Sequence, residues 1–360
     1  MLKRKVFREV VVGKLLRLQW GWLARRAWAV ACLKSRGRVE RGLAPSPLMA
    51  VLMVTENCNG RCPMCDLPHR FRLNPVELDT AVWKRAIDDL HTMGAAGIGF
   101  TGGECTLRKD IFELIRHARD RGFPVTLNTN ALPIAGARLD DLVAAGPTNI
   151  NISIDSGRED VNDRLRGGKD VLTRTLDRIA ALDARRKAGP AAYTITVVTV
   201  LSEDNVGDLD ALFQRVAASG ADRIGFMPLH IVEGGACRIV NLGATAGGLA
   251  GRLRELSAAH NLPIENSDVY LDGLDAAAGG GQLPVPCNAA YTTLFLGADL
   301  RVYRCWPYLE MQQSFRQWDG KTPLADIWND ETFRQERQRS RPCRMCYWNC
   351  HAELSYLVRI

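Results

Sequence analysis

"VTENCNGRCPMCDLP", residues 54–68, places Cys58, Cys62 and Cys65 within eight residues. A C-x3-C-x2-C loop is too tight for three separate tasks, and three soft thiolates favour an iron–sulfur cluster. A cubane cluster has four irons, so three protein ligands leave one iron open to a non-protein ligand. Zinc is the alternative, but it normally needs a fourth protein ligand, and the nearby sequence offers none.

Strand and helix alternate along the chain after residue 48. Apolar, often β-branched runs predict strands at MAVLMVT, IGF, VTLNT, NINISID, YTITVVTVL and RIGFMPL. Helical stretches separate them, for example Thr80–Met93, Lys109–Arg121 and Val171–Arg186. Such alternation predicts βαβ units and a parallel sheet. Six units in about 180 residues suit an open barrel better than a closed eight-fold one. We therefore predict an α/β fold, a partial (β/α)6 TIM-like barrel.

Polar motifs follow several of these predicted strands, where the active site of such a sheet lies. The cysteine loop follows the first strand, and TGGE, residues 101–104, follows the second. LNTN contains Asn128 at the end of the third strand, and NISID carries Ser153 and Asp155 in the fourth. The candidate site residues are therefore expected at one end of the barrel.

The ordered set of CNGRCPMC, TGGE, LNTN and NISID resembles the radical S-adenosylmethionine (SAM) superfamily over residues 50–230. The resemblance implies a [4Fe–4S] cluster on the three cysteines, with SAM chelating the open iron through its amino and carboxylate groups. Glu104 would hold the SAM ammonium. The implied SAM-binding residues are Gly102, Gly103, Glu104, Asn128, Ser153 and Asp155. Cys105 stands where the family often has Pro, and we interpret it as a small residue filling a turn. RLRGGKD, residues 164–170, also resembles the family; it could position substrate or cap the next helix, and we favour capping.

A second cysteine group lies near the C-terminus. Two cysteines flank the hairpin-like stretch TTLFLGADLRVYRC, with a turn at 297–299, and CRMCYWNC adds three more. The arrangement resembles the shortened SPASM, or twitch, domain, which binds an auxiliary [4Fe–4S] cluster. The resemblance implies the ligands Cys287, Cys305, Cys343 and Cys346. Cys350 is left over and could replace one of these or be a bystander. Structural zinc is the alternative for four cysteines. We interpret Cys32 and Cys237 as ordinary thiols.

The positive charge is concentrated in residues 1–45, which hold twelve basic and two acidic residues. The rest of the chain holds 35 basic and 38 acidic residues. The net charge therefore does not indicate a basic nucleic-acid-binding surface on the body, and we expect no nucleic-acid partner. Val11, Leu15, Leu18 and Trp22 recur at helical spacing among the basic residues. This leader helix is expected either on an anionic membrane surface or packed on the protein's own core. We predict a leader at 1–45, a radical SAM barrel at 46–240 and an auxiliary-cluster domain at 241–360.

No signal peptide and no uninterrupted apolar run of about 18 residues occur, so we expect a cytoplasmic protein without a spanning helix. It could still be peripheral on the inner membrane face. In that compartment, eleven cysteines should be thiols or metal ligands rather than disulfides.

The resemblance implies an enzyme that cleaves SAM reductively to a 5′-deoxyadenosyl radical, which abstracts hydrogen from a substrate. The auxiliary cluster would accept or relay an electron, and flavodoxin or ferredoxin would supply reducing electrons. The basic leader suggests a lipid-linked or small-molecule substrate. One alternative is a peptide-modifying (RiPP-type) maturase. Another is a non-catalytic, zinc-stabilised, membrane-associated binding protein.

Overall fold

A parallel sheet with helices between its strands forms the main body of the protein. The computed structural model describes residues 20–65, 67, 77–233, 236–242, 247–279 and 285–358. Neighbouring strands pair in parallel in sequence order, which confirms the α/β class and all six predicted strands. These strands are β1 (Met49–Met53), β2 (Ile98–Thr101), β3 (Val125–Thr129), β4 (Asn149–Ser153), β5 (Thr194–Leu201) and β6 (Arg223–Pro228).

The helices of the described residues fall into three groups along the chain. Before β1 lie α1 (Trp20–Leu33) and α2 (Arg36–Glu40). Between β1 and β6 lie α3 (Thr80–Thr92), α4 (Ile111–Asp120), α5 (Ala137–Ala145), α6 (Glu159–Arg166), α7 (Val171–Ala188) and α8 (Leu209–Ala218). After β6 lie α9 (Leu249–Ala259), α10 (Asp268–Ala278), α11 (Ala289–Thr292), α12 (Trp306–Glu310), α13 (Leu324–Asn329), α14 (Glu331–Ser340) and α15 (Asn349–Leu357).

The alternation of side chains along each strand separates the core from the inside of the barrel. In β4, Ile150 and Ile152 are buried in the main core, whereas Asn149, Asn151 and Ser153 face the opposite way and line a cavity. A closed barrel fills its interior with bulky apolar side chains. This open one keeps polar side chains and free space there.

The sheet continues into the C-terminal part of the chain. β9 (Thr293–Leu296) pairs in parallel with β1 and forms an antiparallel hairpin with β10 (Arg301–Tyr303), which pairs with β11 (Arg316–Gln317). The predicted hairpin is therefore confirmed. A separate hairpin of β7 (His230–Glu233) and β8 (Ala236–Ile239) follows β6. One sheet thus crosses the boundary predicted at residue 240.

Two helices cover the side where the sheet ends at β6. Helix α10 packs against β6, and α15 packs against both α10 and α11, the helix that leads into β9. Residues Cys350 and Leu354 of α15 line the inner cavity. The last helix of the chain is therefore part of the barrel wall.

The leader is part of the body where the structure describes it. Ala29, Leu33 and Val39 are buried in the main core, whereas Trp28 is 56% exposed. Tyr291 donates a hydrogen bond to the carbonyl of Val39 at 2.8 Å. Val11, Leu15 and Leu18 of the predicted amphipathic pattern lie outside the described residues. Among the helices described, none is both long and apolar enough to span a membrane.

Candidate active site

A single cavity of about 1900 Å³ occupies the inside of the open barrel. Pockets for drug-sized ligands are typically about 300–1000 Å³, so this one has room for more than one small molecule. Nearly all of the predicted site residues of the barrel line it. They are Cys58, Cys62, Cys65, Gly102, Gly103, Glu104, Asn128 and Ser153. The strand-end motifs therefore meet in one space.

The three cysteines lie together on the loop that leaves β1. A Cβ atom placed on Gly60 would lie 3.5 Å from the Cys58 Sγ and 3.6 Å from the Cys62 Sγ. The backbone N–H of Gly60 donates to the Cys58 Sγ at 3.3 Å. Burial, with smaller contributions from the neighbouring Cys62 and Cys58, raises the pKa of Cys65 to about 12. Three adjacent thiols directed at one cavity fit a cluster-binding loop, whose formation would release their protons.

The two glycines at the end of β2 allow this loop to dock on the sheet. A Cβ on Gly102 would stand 2.5 Å from the carbonyl oxygen of Thr55, and one on Gly103 would stand 2.5 Å from that of Asn57. The N–H of Gly103 donates to Thr55 at 3.0 Å, and that of Glu104 donates to Asn57 at 2.7 Å. Any side chain at these positions would push the cysteine loop away.

Glu104 is buried, and its two carboxylate oxygens accept different numbers of hydrogen bonds. Oε1 accepts hydrogen bonds from the N–H of Thr106 at 3.0 Å, its hydroxyl at 2.5 Å and the Thr129 hydroxyl at 2.7 Å. Oε2 accepts one, from the N–H of Asn130 at 2.6 Å. A carboxylate oxygen has two lone pairs, so Oε2 keeps capacity for a further donor. Burial raises the pKa of Glu104 above its ordinary value of 4.5.

Asn128 belongs to a chain of amide hydrogen bonds across the cavity floor. Its Nδ2 donates to the carbonyl of Phe100 at 3.1 Å, and its Oδ1 accepts from Asn151 at 2.9 Å. Asn149 donates to the Asn151 Oδ1 at 2.6 Å. The side chains on β3 and β4 hold one another in place. Ser153 lies at the end of the same face of β4.

Asp155 is the one predicted SAM contact that the structure does not bring to the cavity wall. It is fully buried, its Oδ1 accepts from the N–H of Val200 at 2.9 Å, and its Oδ2 lies 2.6 Å from the Arg166 Nε. Arg166 itself lines the cavity. Burial raises the pKa of Cys62, and the charge of Arg166 opposes that shift. Asp155 therefore stands behind Arg166, which places a positive charge beside the cysteine loop.

The capping interpretation of RLRGGKD describes only part of what the segment does. Helix α6 ends at Arg166, and its C-cap residue Gly167 adopts a left-handed conformation, as helix C-caps commonly do. The Asp163 carboxylate accepts from the N–H groups of Val171 and Leu172, at the start of α7. Arg166 from the same segment is a cavity residue that capping does not account for. Cys105 is buried and donates to the carbonyl of Asn128 at 3.1 Å, in keeping with a residue that fills a turn.

The C-terminal cysteines lie close together and form a second candidate cluster site. Burial raises the pKa of Cys346 well above its ordinary value, and Cys287, Cys305 and Cys237 contribute to the rise. Cys343 contributes in the same way to the raised pKa of Cys287 and of Cys305. The N–H of Cys287 also donates to the carbonyl of Cys343 at 3.0 Å. The four predicted ligands are therefore neighbours, although 38 residues separate Cys305 from Cys343 in sequence.

The spacing of these thiols bears on the choice between cluster and zinc. In the parts of the chain that the structure describes, no three His, Cys, Asp or Glu side chains converge tightly enough for a single metal ion. Zinc draws its ligands onto one centre, about 2.3 Å from each sulfur. The thiolates of a cubane bind separate irons instead. The donors at both places are soft thiols, the ligands that iron–sulfur clusters use.

Comparison with known proteins identifies the barrel. Residues 52–216 match the model of the Radical SAM superfamily. This part of the chain is a radical SAM domain. Its cofactors are therefore a [4Fe–4S] cluster and SAM, the pair that this superfamily uses, and the strand-end motifs lie within the matched residues.

The similar proteins include enzymes that act on a peptide. The PqqA peptide cyclase of Ruegeria pomeroyi is 30% identical over 190 residues, which is 53% of this chain and 49% of that protein. The PqqA peptide cyclase of Bradyrhizobium diazoefficiens is 32% identical over 178 residues, 49% of this chain and 45% of that protein. The chain thus spans about half the length of the curated relatives it matches.

Solved structures share the fold over most of the chain. Streptococcus suis SuiB bound to S-adenosylmethionine superposes with a TM-score of 0.66 at 18% identity, covering 92% of this chain and 78% of that one. SuiB bound to the precursor peptide SuiA gives 0.65 at 16% identity, covering 89% and 75%. The likeness extends beyond the barrel into the C-terminal part.

Proposed function

We propose that this protein is a radical SAM enzyme that modifies a peptide, with a second [4Fe–4S] cluster in its C-terminal cysteine group. One observation carries the proposal. A single cavity joins the three-cysteine loop and the Gly-Gly-Glu strand end to a wall that reaches the second cysteine group. A substrate in this cavity would lie between the two sites.

That wall is aromatic. Trp306 stacks on Trp348 with 5.6 Å between ring centroids, and both rings line the cavity. Trp306 and Cys65 pack against the apolar cluster around Phe295, whereas Trp348 packs against the cluster that contains Cys346. Stacked rings exclude water and offer a flat surface to an apolar or aromatic side chain. The wall therefore supports a substrate position between the two cysteine groups.

Each chemical task of the proposed reaction has a residue to perform it. The bound cluster and SAM would supply a 5′-deoxyadenosyl radical that takes a hydrogen atom from the substrate. Cys58, Cys62 and Cys65 would hold the cluster. Glu104 would accept from the SAM ammonium through Oε2, and Arg166, positioned by Asp155, would place a positive charge beside the cysteine loop.

A peptide is favoured as substrate over the lipid-linked or small molecule first expected. The relatives from Ruegeria and Bradyrhizobium are named PqqA peptide cyclases, and SuiB, which shares the fold, has been solved with a precursor peptide. The cavity volume also leaves space for a chain segment beside SAM. The peptide-modifying alternative therefore replaces the original expectation.

The remaining parts of the proposal concern partners and location. Radical SAM enzymes need an external reductant, and a flavodoxin or ferredoxin in the cytoplasm would serve. Attachment to an anionic membrane through residues 1–45 has less support, because Ala29 and Leu33 of that segment pack on the core. The described part of the leader favours the packing alternative.

Isotope transfer would test the substrate class. The enzyme is reconstituted anaerobically, reduced with dithionite and given SAM with either a peptide extract or a lipid extract of its own source organism, grown in D₂O. Because the hydrogen taken from the substrate ends in 5′-deoxyadenosine, the peptide extract should yield mono-deuterated 5′-deoxyadenosine, detected by mass spectrometry. Deuterium transfer from the lipid extract alone would contradict the peptide assignment.

An iron and sulfide assay on the same preparation tests the enzyme assignment itself. Two clusters require about eight irons and eight sulfides per chain. Stoichiometric zinc without sulfide, together with no SAM cleavage, would instead indicate the non-catalytic binding protein.

A further inference from the structure

Two thiols outside the ligand set implied by the twitch resemblance lie at the C-terminal cysteine group, Cys350 of α15 and Cys237. Cys237 is on β8, in the hairpin that follows β6, and reaches the group from the barrel side. The four implied ligands all come from residues 287–346. Nothing in the C-x2-C or hairpin spacing points to Cys237.

Packing places Cys237 beside one particular ligand. Cys237 is 5% exposed and Cys346 is 7% exposed, and with Val232 they form one small apolar cluster. Cys287 and Cys305 belong instead to the main core, and Cys343 packs against it. The thiols thus approach the site from two sides, with Cys237 and Cys346 on the same side.

The electrostatic interactions agree with this placement. Burial raises the pKa of Cys237 to about 12, with smaller contributions from Glu310 and Cys343. Cys237 in turn contributes to the raised pKa of Cys346. These shifts agree with the packing of Cys237 against Cys346.

A cubane has four irons, so four thiolates complete it and a fifth nearby thiol has no iron of its own. Two thiols that approach from the same side compete for one iron. We propose that Cys237 is a coordinating residue of the auxiliary cluster site and can bind the iron that Cys346 binds. This inference rests on the second cluster of the proposed function.

The exchange needs no outside reagent and no redox change. The Cys237 thiol would give up its proton and bind the iron, while the bond from Cys346 to that iron would break and the Cys346 thiolate would take up a proton. Either cysteine would then supply one thiolate to the cluster. The hairpin β7–β8 would then hold the cluster directly, which would fasten the barrel to the C-terminal part.

Iron content and spectroscopy of cysteine variants would test this. The background is the full chain with Cys58, Cys62 and Cys65 replaced by Ala, so that only the auxiliary site binds iron, about four per chain. Adding Cys346→Ala should preserve about four irons, with a changed EPR spectrum of the reduced cluster because one ligand differs. Adding Cys237→Ala to that variant should abolish the cluster.

The matched control is Cys287→Ala in the same background. Cys287 lies on the core side, where Cys237 cannot replace it, so this variant should lose the cluster although Cys237 is intact. Circular dichroism of each metal-free variant checks that the chain still folds. Loss of iron in Cys346→Ala alone, or its retention in the Cys346→Ala/Cys237→Ala pair, would overturn the inference. A background protein that binds no iron would refute the second cluster itself, while leaving SAM cleavage by the wild type unaffected.

Discussion

Replacing Glu104 by Gln separates its two possible roles, as a structural acceptor and as the partner of the SAM ammonium. Gln has almost the same size and can keep its oxygen at the position of Oε1, which accepts from Thr106 and Thr129. Its amide nitrogen then takes the place of Oε2, so two hydrogen-bond donors, this nitrogen and the N–H of Asn130, face each other. The negative charge is lost. Glu104→Ala would remove all of these acceptors together and is less informative.

The expected magnitudes differ between folding and binding. One buried donor left without an acceptor lowers the free energy of unfolding by about 1–3 kcal/mol. An ammonium that loses its buried carboxylate partner loses about 3–5 kcal/mol. Since each 1.4 kcal/mol is a tenfold change, SAM should bind roughly two to three and a half orders of magnitude more weakly.

Equilibrium dialysis with SAM under anaerobic conditions measures the affinity, and urea denaturation of the metal-free protein measures stability. Thr129→Val is the matched control, because it removes the 2.7 Å hydrogen bond to Oε1 and the 2.9 Å bond that the hydroxyl accepts from the N–H of Ala131, and leaves the charge. It should lower the free energy of unfolding by about 1–3 kcal/mol and leave SAM affinity unchanged. If Glu104→Gln bound SAM with wild-type affinity, the ammonium role of Glu104 would be refuted.

The pH dependence gives a second check on the same residue. Burial raises the pKa of Glu104 above 4.5, so the carboxylate is protonated at a higher pH than an exposed one. SAM affinity of the wild type should fall as the pH is lowered through this raised pKa, and Glu104→Gln should lack that step. Without SAM the sign is opposite: a raised carboxyl pKa favours the folded state at low pH, and that contribution is lost as the pH rises through the folded-state pKa.

Three further predictions follow from the loop, the buried ion pair and the leader. Alanine at all three cysteines of the first loop should lower iron from about eight to about four per chain by iron assay, and loss of all iron would contradict two independent sites. Asp155→Asn leaves Arg166 without its partner and should lower the free energy of unfolding by about 3–5 kcal/mol; an unchanged urea midpoint would argue against the pair. Deleting residues 1–40 should destabilise the fold, and Leu33→Ala alone should cost about 2–5 kcal/mol by urea denaturation. Trp28→Ala, at an exposed side chain, is the control, and a deletion of wild-type stability would show that the leader is separate.

The barrel was predictable because buried parallel strands appear in sequence as apolar runs. Each of the six runs became a strand, and helix ends differed from the predicted ones by one or two residues, as at α4 (Ile111–Asp120). The carboxyl-end rule then brought the cysteine loop, Gly102 to Glu104, Asn128 and Ser153 into one cavity. Both steps depend on local patterns and on a general property of parallel sheets.

The partners of buried polar residues were not predictable in the same way. Asp155 ends a strand and therefore resembles a SAM contact, but its position behind Arg166 depends on how α6 packs over the cysteine loop. Glu104 accepts hydrogen bonds from Thr129 and Asn130, which lie at the end of the neighbouring strand. Such pairings are set by tertiary packing, and one sequence contains no local sign of them.

Cys237 was interpreted as an ordinary thiol for a related reason. Ligand spacing identifies cysteines that are close in sequence, whereas Cys237 is 50 residues before Cys287. The stretch HIVEGGACRI, with Gly-Gly between two short apolar runs, does carry a hairpin signal. Reading that hairpin would have placed Cys237 on a strand after the barrel, but not beside Cys346.

The pairing of β9 with β1 determines how this gene product can be divided. In the whole chain β1 lies between β2 and β9, so its N–H and C=O groups are bonded on both sides. A fragment ending at residue 240 would leave β1, with its apolar side chains Ala50, Leu52 and Met53, as an unpaired edge. Exposed apolar edges recruit strands from other chains, so such a fragment should aggregate. The barrel and the cysteine-rich C-terminal part are therefore best inherited, expressed and engineered as one piece.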